Sequence, residues 1–255
     1  MGLDIYAGTF TRYYARNWKT KTQQFCEEHG IEYSLTTAYE VPEDLDSLTQ
    51  QIEEDVNAWM QQLVSVLSDS GIEKAAVWPE NNIKDYYTDK PDWDALGALL
   101  LIASAKALKE DFPAESPKGM DYFRHEFVEK ASEKVFTGWA LFAGVFHYIP
   151  IEDSFYFQYP LLNGVAASIG TVAGLKQELQ AINKLCWNAP EETVWEWIYT
   201  EGYPSDGYVD VDGNYKMQEV HNTYNTESLA KFAFAVLWQA VRFAEEEKVV
   251  IIFDY

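Results

Sequence analysis

The stretch Val249-Val250-Ile251-Ile252-Phe253 decides the fold, because its continuous apolar character predicts a strand that is buried on both faces. At the other end of the sequence, Leu3 to Ala7 has the composition of a second short buried strand. A buried strand at Val249 to Phe253 makes that end of the chain structural. We therefore expect deletion of residues 249–255 to abolish folding, and normal soluble expression of the shortened chain would contradict this.

The longest helical pattern lies between these two strands, where apolar residues recur at steps of three and four. Pro42 suits the first turn of such a helix, Glu43 and Asp44 suit the positive end of its dipole, and Gly71 is expected to end it. The apolar stripe consists of Val41, Leu45, Leu48, Ile52, Val56, Trp59, Leu63 and Leu67.

The remaining elements follow from periodicity, caps and turn residues. Further helices are predicted at Arg12 to His29, Asp92 to about Lys109, Lys118 to Lys134, Thr171 to Leu185, Glu192 to Thr200 and from Thr226 onwards. Further strands are predicted at Ile31 to Thr37, at Trp139 to Ile149 paired antiparallel with Phe155 to Leu161, and in a hairpin from Gly207 to Val220. Trp78 to Pro91 is predicted to be a long irregular loop.

These elements indicate an α+β fold: a mixed sheet with the N- and C-terminal strands inside it, packed by several amphipathic helices. The sequence has no repeat and no flexible linker, so we expect a single domain over residues 1–255. A division at Pro113 to Pro117 is the alternative.

The net charge of −22 is concentrated in part of the chain. Between Lys21 and Lys74 stand twelve acidic residues and no Lys or Arg, and this segment is called the first acidic window. Between Lys184 and Lys216 stand seven more, again without a base, and this segment is called the second acidic window. Such charge disfavours nucleic acid and anionic membranes, which are bound through Lys and Arg, and it favours cationic partners.

No apolar run reaches the length of a membrane span, and the N-terminus lacks the pattern of a secretory signal. Two cysteines without a secretory context predict reduced thiols. We therefore expect a cytoplasmic protein with no membrane or nucleic-acid partner, and the sequence leaves its oligomeric state open.

No motif specifies a reaction, but several side chains are candidates for chemistry. Asp121, His125 and Glu129 are spaced by four and would share one face of the helix predicted at Lys118 to Lys134. A His between two carboxylates suits a general base or a metal ligand, although an ordinary polar helix face explains the same pattern. His147 is a further catalytic candidate, with hydrogen bonding inside the core as its alternative.

Metal and aromatic binding sites have weaker signals. Asp210, Asp212 and Asn214 match the first ligand positions of a calcium loop, but the next positions do not, and a hairpin turn at Asp212-Gly213 explains them as well. No cofactor is predicted. Aromatic side chains in an acidic loop suit stacking on a sugar or a cation, with core packing as the alternative. The candidate binding residues are Trp78, Tyr86 and Tyr87 in that loop, and Glu43, Glu53, Glu54 and Asp55 on the polar face of the long helix that begins near Pro42.

The opening Met-Gly-Leu-Asp-Ile-Tyr-Ala-Gly-Thr, followed by Thr11-Arg12-Tyr13-Tyr14, resembles the start of a group of uncharacterised bacterial and phage proteins. This resemblance covers only the opening stretch. It implies a bacterial or phage-derived origin and carries no activity, cofactor or catalytic residue.

The two acidic windows and the lack of a catalytic signature favour a non-enzymatic acidic binding protein that engages a basic protein partner, as immunity proteins and inhibitors do. A metal-assisted hydrolase that uses His and carboxylates is the alternative. A protein that handles carbohydrate through its exposed aromatic residues is a third possibility.

Overall fold

A computed structural model describes residues 2–33, 45–72, 74–205, 207–211, 214–217 and 221–255, with only the backbone at 45–47, 209, 215 and 217. The helices in this part of the chain are α1 Phe10–Tyr14, α2 Lys21–Glu28, α3 Leu45–Asp69, α4 Asp92–Leu108, α5 Glu126–Lys134, α6 Val172–Cys186, α7 Glu191–Thr200 and α8 Thr226–Glu247. The strands are β1 Asp4–Gly8, β2 Tyr87–Asp89, β3 Glu115–Pro117, β4 His147–Ile149, β5 Tyr156–Pro160, β6 Ala166–Thr171, β7 Gly207–Val209, β8 Tyr215–Met217, β9 Thr223–Asn225 and β10 Val250–Asp254.

Six of these strands form one mixed sheet in the order β2-β1-β10-β4-β6-β5. The N-terminal β1 and the C-terminal β10 lie next to each other inside it, antiparallel, with Asp4 opposite Asp254 and Gly8 opposite Val250. Only β4 and β6 run parallel. The predicted α+β class, with both terminal strands inside a mixed sheet, is therefore confirmed.

One face of the sheet is covered by α4, α6 and α8, and we call it the α8 face. Ile5, Ile251 and Tyr148 point to this side and are fully buried. Helix α4 is so apolar that eleven consecutive residues, Ala95 to Ala105, are buried. Such a helix has no polar side and must lie inside the protein, here packed against α8, α5 and α6.

The opposite face is covered by α1 and α3, and we call it the α3 face. Val56, Trp59 and Leu63 of the predicted stripe are buried here against sheet residues such as Ile252 and Ile169. The stripe therefore predicted the buried side of α3 correctly from Val56 to Leu67, whereas Leu48 is exposed. Its expected first turn, at residues 41–44, lies outside the described residues.

Two predicted helices are wrong because capping residues divide them. The expected helix from Arg12 to His29 is two helices, since Thr20 and Gln23 form a capping box that starts α2, and Arg16 has a positive φ of 54°. In the segment predicted as a helix from Lys118 to Lys134, a 3₁₀ turn at Tyr122–Arg124 precedes α5. There His125 caps α5 and ends the turn.

The predicted pairing of Trp139 to Ile149 with Phe155 to Leu161 is also wrong. Residues 139–144 form turns, and β4 and β5 both pair with β6, which lies between them. The loop expected at Trp78 to Pro91 contains the edge strand β2. Of the strand expected at Ile31 to Thr37, residues 31–33 are irregular and the rest lies outside the described residues. Among the described helices, none is long and apolar enough to cross a membrane.

Candidate functional site

The predicted face of Asp121, His125 and Glu129 does not form. Asp121 precedes the 3₁₀ turn and pairs with Arg124 at 3.3 Å, while Glu129 lies exposed in the first turn of α5. The His125 Nδ1 accepts a hydrogen bond from the Phe127 N–H at 3.2 Å. Because that nitrogen caps the helix, the three side chains act in local structure and do not converge on one point.

His147 lies on the α3 face in β4, opposite Ile252 and Ile169. Burial lowers the pKa of His147 to about 4, and the negative charge of Asp254 opposes this only in part. The Tyr13 hydroxyl donates to Asp254 Oδ1 at 2.5 Å. Burial therefore keeps the imidazole uncharged at neutral pH, although the Asp254 carboxylate favours its charged form.

Two of the three predicted calcium ligands, Asp210 and Asn214, are hydrogen-bonded to each other. Asp210 Oδ1 accepts from the Asn214 N–H at 2.9 Å, and Asp210 Oδ2 lies 3.4 Å from Lys216 Nζ. Asp212 lies outside the described residues. Nowhere in the described part of the chain do three His, Cys, Asp or Glu side chains form a group that could hold a metal ion.

The aromatic side chains predicted to bind are used within the fold. Trp78 is 5% exposed, and its Nε1 donates to Glu80. The ring of Tyr86 already faces a cation, because the Arg12 guanidinium lies 4.7 Å from its centroid. Tyr87 packs against Phe243 in the core on the α8 face. None of the three offers an open face of the kind that stacks on a sugar.

In the first acidic window, the described carboxylates of α3 face solvent without a cation. Glu54 and Asp55 are exposed and accept hydrogen bonds from Gln50 and Gln51. Glu53 is half-buried, and Glu43 lies outside the described residues. The neighbours of Glu54 and Asp55 on this side of α3 are largely glutamines. This surface therefore has negative charge but no aromatic side chain that could anchor a partner.

In the second acidic window, several carboxylates are paired with bases from outside it. Glu191 Oε1 lies 3.3 Å from Arg242 Nε and also accepts from Trp238 Nε1, both on α8. Glu201 lies 3.6 Å from Lys231 Nζ of the same helix. The second acidic window thus contains no Lys or Arg of its own, but bases from α8 lie beside some of its carboxylates.

The outward side of α7 carries two further carboxylates of this window, Glu192 and Glu196. Residues at steps of three and four share one helix side, and here they are two carboxylates and two aromatic rings. Val194 and Trp197 on the other side are buried against α8, which fixes the orientation. Trp195 is 40% exposed and Tyr199 is 88% exposed. We call this set the α7 stripe: Glu192, Trp195, Glu196 and Tyr199.

Glu192 and Glu196 form no ion pair with any described residue, and both are exposed. The spacing of the α7 stripe was visible in the sequence, as Glu192-x-x-Trp195-Glu196-x-x-Tyr199. Its exposure was not, because Trp195 and Trp197 have the same chemistry and only the packing on α8 distinguishes them.

Two buried carboxylates, one on each face, hold backbone turns. Glu178 on α6 accepts from the Ala140 and Leu141 N–H groups at 2.6 and 2.9 Å, and burial raises its pKa to about 7. On the α3 face, Glu80 accepts from the Phe10 and Thr11 N–H groups at 3.2 and 2.9 Å. Burial likewise raises the pKa of Glu80, although the hydrogen bonds that it accepts oppose this. Both act as caps for orphan N–H groups.

Comparison of the chain with protein-family models, with curated proteins and with solved structures yields no match. What the chain does must therefore be inferred from its own residues. The α7 stripe combines two exposed carboxylates that form no ion pair with a described residue and two exposed aromatic rings on one side of a helix.

Proposed function

We propose that this chain is a non-enzymatic binding protein that engages a basic protein partner through the α7 stripe. The observation that carries the proposal is the position of Trp195 and Tyr199 beside two carboxylates that have no cation among the described residues. Trp, Tyr and charge complementarity are the usual anchors of protein interfaces.

An arginine of the partner suits this surface best. Its guanidinium forms paired hydrogen bonds with a carboxylate and stacks on an aromatic ring, so Glu196 and Trp195 would each contact the same side chain. The net charge of −22 adds a long-range attraction that speeds the encounter with a positive surface.

The stripe is also rigid, which lowers the entropic cost of binding. Val194 and Trp197 anchor α7 in the core, and the contact of Glu191 with Arg242 fixes its first turn. A preformed helix face loses little backbone freedom when a partner binds.

The proposal is tested by isolating the partner and titrating it in pure form. The chain, immobilised, is expected to retain a protein with an excess of Lys and Arg, whose affinity then falls steeply as salt rises from about 50 to about 300 mM. Glu192→Gln with Glu196→Gln should weaken the binding about tenfold or more, since each charged hydrogen bond contributes about 1.5–3 kcal/mol.

Glu54→Gln with Asp55→Asn is the matched control, because it removes the same charge from α3 and leaves the α7 stripe intact. We expect this control to weaken binding no more than about twofold, through the long-range field alone. Equal losses from the two double variants would contradict the role of α7. Affinity that does not change with salt would contradict the basic partner.

A further inference from the structure

A two-lobed cleft opens at one end of the sheet, around Trp93 in the first turn of α4. Its apolar lobe has a volume of about 470 Å³ and is walled by Trp93, Phe123, Phe146 and Met120. Its polar lobe, of about 530 Å³, is lined by Lys90, Asp92, Asp94 and Lys118. Trp93 lines both, and Gly119 of the polar lobe precedes Met120 of the apolar lobe in the chain, so the two cavities adjoin and a ligand that spans Trp93 reaches both.

The apolar lobe has the shape for a flat ring. The Trp93 ring is met by Phe123 and Phe146 at centroid distances of 6.4 and 5.9 Å and interplanar angles of 70° and 71°. Tyr255 meets the Trp93 ring in the same way, at 5.4 Å and 72°, and since rings prefer such edge-to-face contacts, a ligand ring in the lobe would add another. The volume falls in the usual range for small-molecule sites, which are mostly apolar with a few polar groups.

The polar lobe offers both signs of charge. Lys90 Nζ is already matched, at 3.0 Å from Asp92 and 3.7 Å from Asp4. Lys118 is exposed and forms no ion pair with a described residue. Asp94 is fixed by the Gly119 N–H, which donates to its Oδ1 at 2.8 Å. An open cation and an oriented carboxylate thus stand on one side of Trp93.

We propose that this cleft binds a small zwitterion with an aromatic side group, its ring in the apolar lobe, its carboxylate at Lys118 and its ammonium at Asp94. The chemical class is that of an aromatic α-amino acid. This site is separate from the α7 stripe, and its test does not depend on the protein partner.

Calorimetric titration with four compounds tests each part of the proposal. L-Phenylalanine is expected to bind, whereas phenethylamine lacks the carboxylate, 3-phenylpropionate lacks the ammonium and L-alanine lacks the ring. Each of these three should bind about tenfold more weakly or worse, since a charged hydrogen bond contributes about 1.5–3 kcal/mol and burial of a Phe side chain contributes a similar amount. No heat with L-phenylalanine at millimolar concentration, or equal binding of all three aromatic compounds, would overturn the proposal.

Variants assign the contacts. Lys118→Gln should lower the affinity for L-phenylalanine to that of phenethylamine for the wild type, and Asp94→Asn should lower it to that of 3-phenylpropionate. Lys134→Gln changes an exposed lysine that lines neither lobe and should leave binding unchanged. If Lys118→Gln and Lys134→Gln behave alike, the carboxylate is not bound where we place it.

Discussion

The two faces of the sheet differ in where they keep their ionisable groups. On the α8 face the helices are apolar inside, Glu178 is the exception, and the charged side chains stand outside on α7. On the α3 face, His147, Glu80 and the Tyr13–Asp254 pair lie within the layer itself. Both layers therefore contain buried ionisable groups whose charge state affects stability, Glu178 on the α8 face and His147 on the α3 face, and the α7 stripe that we propose as a binding surface lies outside the layer on the α8 face.

The largest effect should come from core truncations that compare the faces directly. Leu99→Ala on α4 removes a fully buried side chain enclosed by the sheet and other helices, and we expect a loss of about 4 kcal/mol in the free energy of unfolding. Leu63→Ala on α3 changes an equally buried side chain in the layer of α1 and α3, and it should cost about 3 kcal/mol, because α3 can move into the space. Denaturant titration measures both, and a larger loss for Leu63→Ala would reverse the comparison.

The next effect is the pH response of Glu178 on the α8 face. Its pKa is raised from 4.5 to about 7 in the folded protein, so the folded state binds more protons than the unfolded state between these values. The contribution of Glu178 to stability is therefore full below pH 4.5 and is lost as pH rises through 7.

We expect the unfolding free energy of the wild type, relative to Glu178→Gln, to fall by about 3 kcal/mol between pH 4.5 and pH 8. Taking the difference between the two proteins cancels the titration of all other groups. A constant difference across this range would show that Glu178 is charged in both states.

His147 on the α3 face should respond in the opposite direction. Its pKa is lowered from 6.5 to about 4, so the unfolded state binds the proton first as pH falls. Stability is complete above pH 6.5 and declines through pH 4. Relative to His147→Gln, the wild type should lose about 3 kcal/mol between pH 7 and pH 4, measured by denaturant titration at each pH. A gain over this interval would place a charged His147 in the folded protein.

The smallest effect on stability should come from the α7 stripe. Trp195→Ala removes an exposed ring, so the free energy of unfolding should change by less than about 0.5 kcal/mol. Its affinity for the basic partner should nevertheless fall by about 2 kcal/mol, as at an interface hot spot. Trp197 lies two residues further along and is buried. Trp197→Ala should therefore lower the free energy of unfolding by disrupting the contact of α7 with α8, and it should change the affinity for the partner little. Equal stability losses for both would mean that Trp195 also packs in the fold.

The sequence patterns predicted correctly those helices whose formation depends on regular local spacing of apolar residues. The stripe of α3 and the long apolar runs of α4 and α8 were confirmed as helices because each carries many turns of consistent periodicity. The start of α2 was missed although Thr20-x-x-Gln23 is a capping-box signature. The partner of β4 and β5 was missed because β6 follows both in the chain and pairing across a sheet leaves no local signal.

The candidate sites show the same division. Steps of four suggested one face for Asp121, His125 and Glu129, but the helix begins only at Glu126, so the spacing has no meaning there. The second acidic window was correctly recognised as free of bases, yet Arg242 and Lys231 reach it from α8. The sequence shows how charged residues are distributed along the chain but not which of them meet. The packing of α7 on α8 determines which carboxylates remain unpaired.

The adjacency of β1 and β10 has a consequence for folding kinetics. Pairing of Asp4 with Asp254 closes a loop that contains almost the whole sequence. The chain loses the entropy of this closure before the contacts at the centre of the sheet can stabilise it. Neighbouring elements such as β5 and β6 require no such search. A high contact order of this kind predicts slow folding through collapsed states. In these states the apolar strand β10, Val250–Asp254, stays exposed until it pairs with β1.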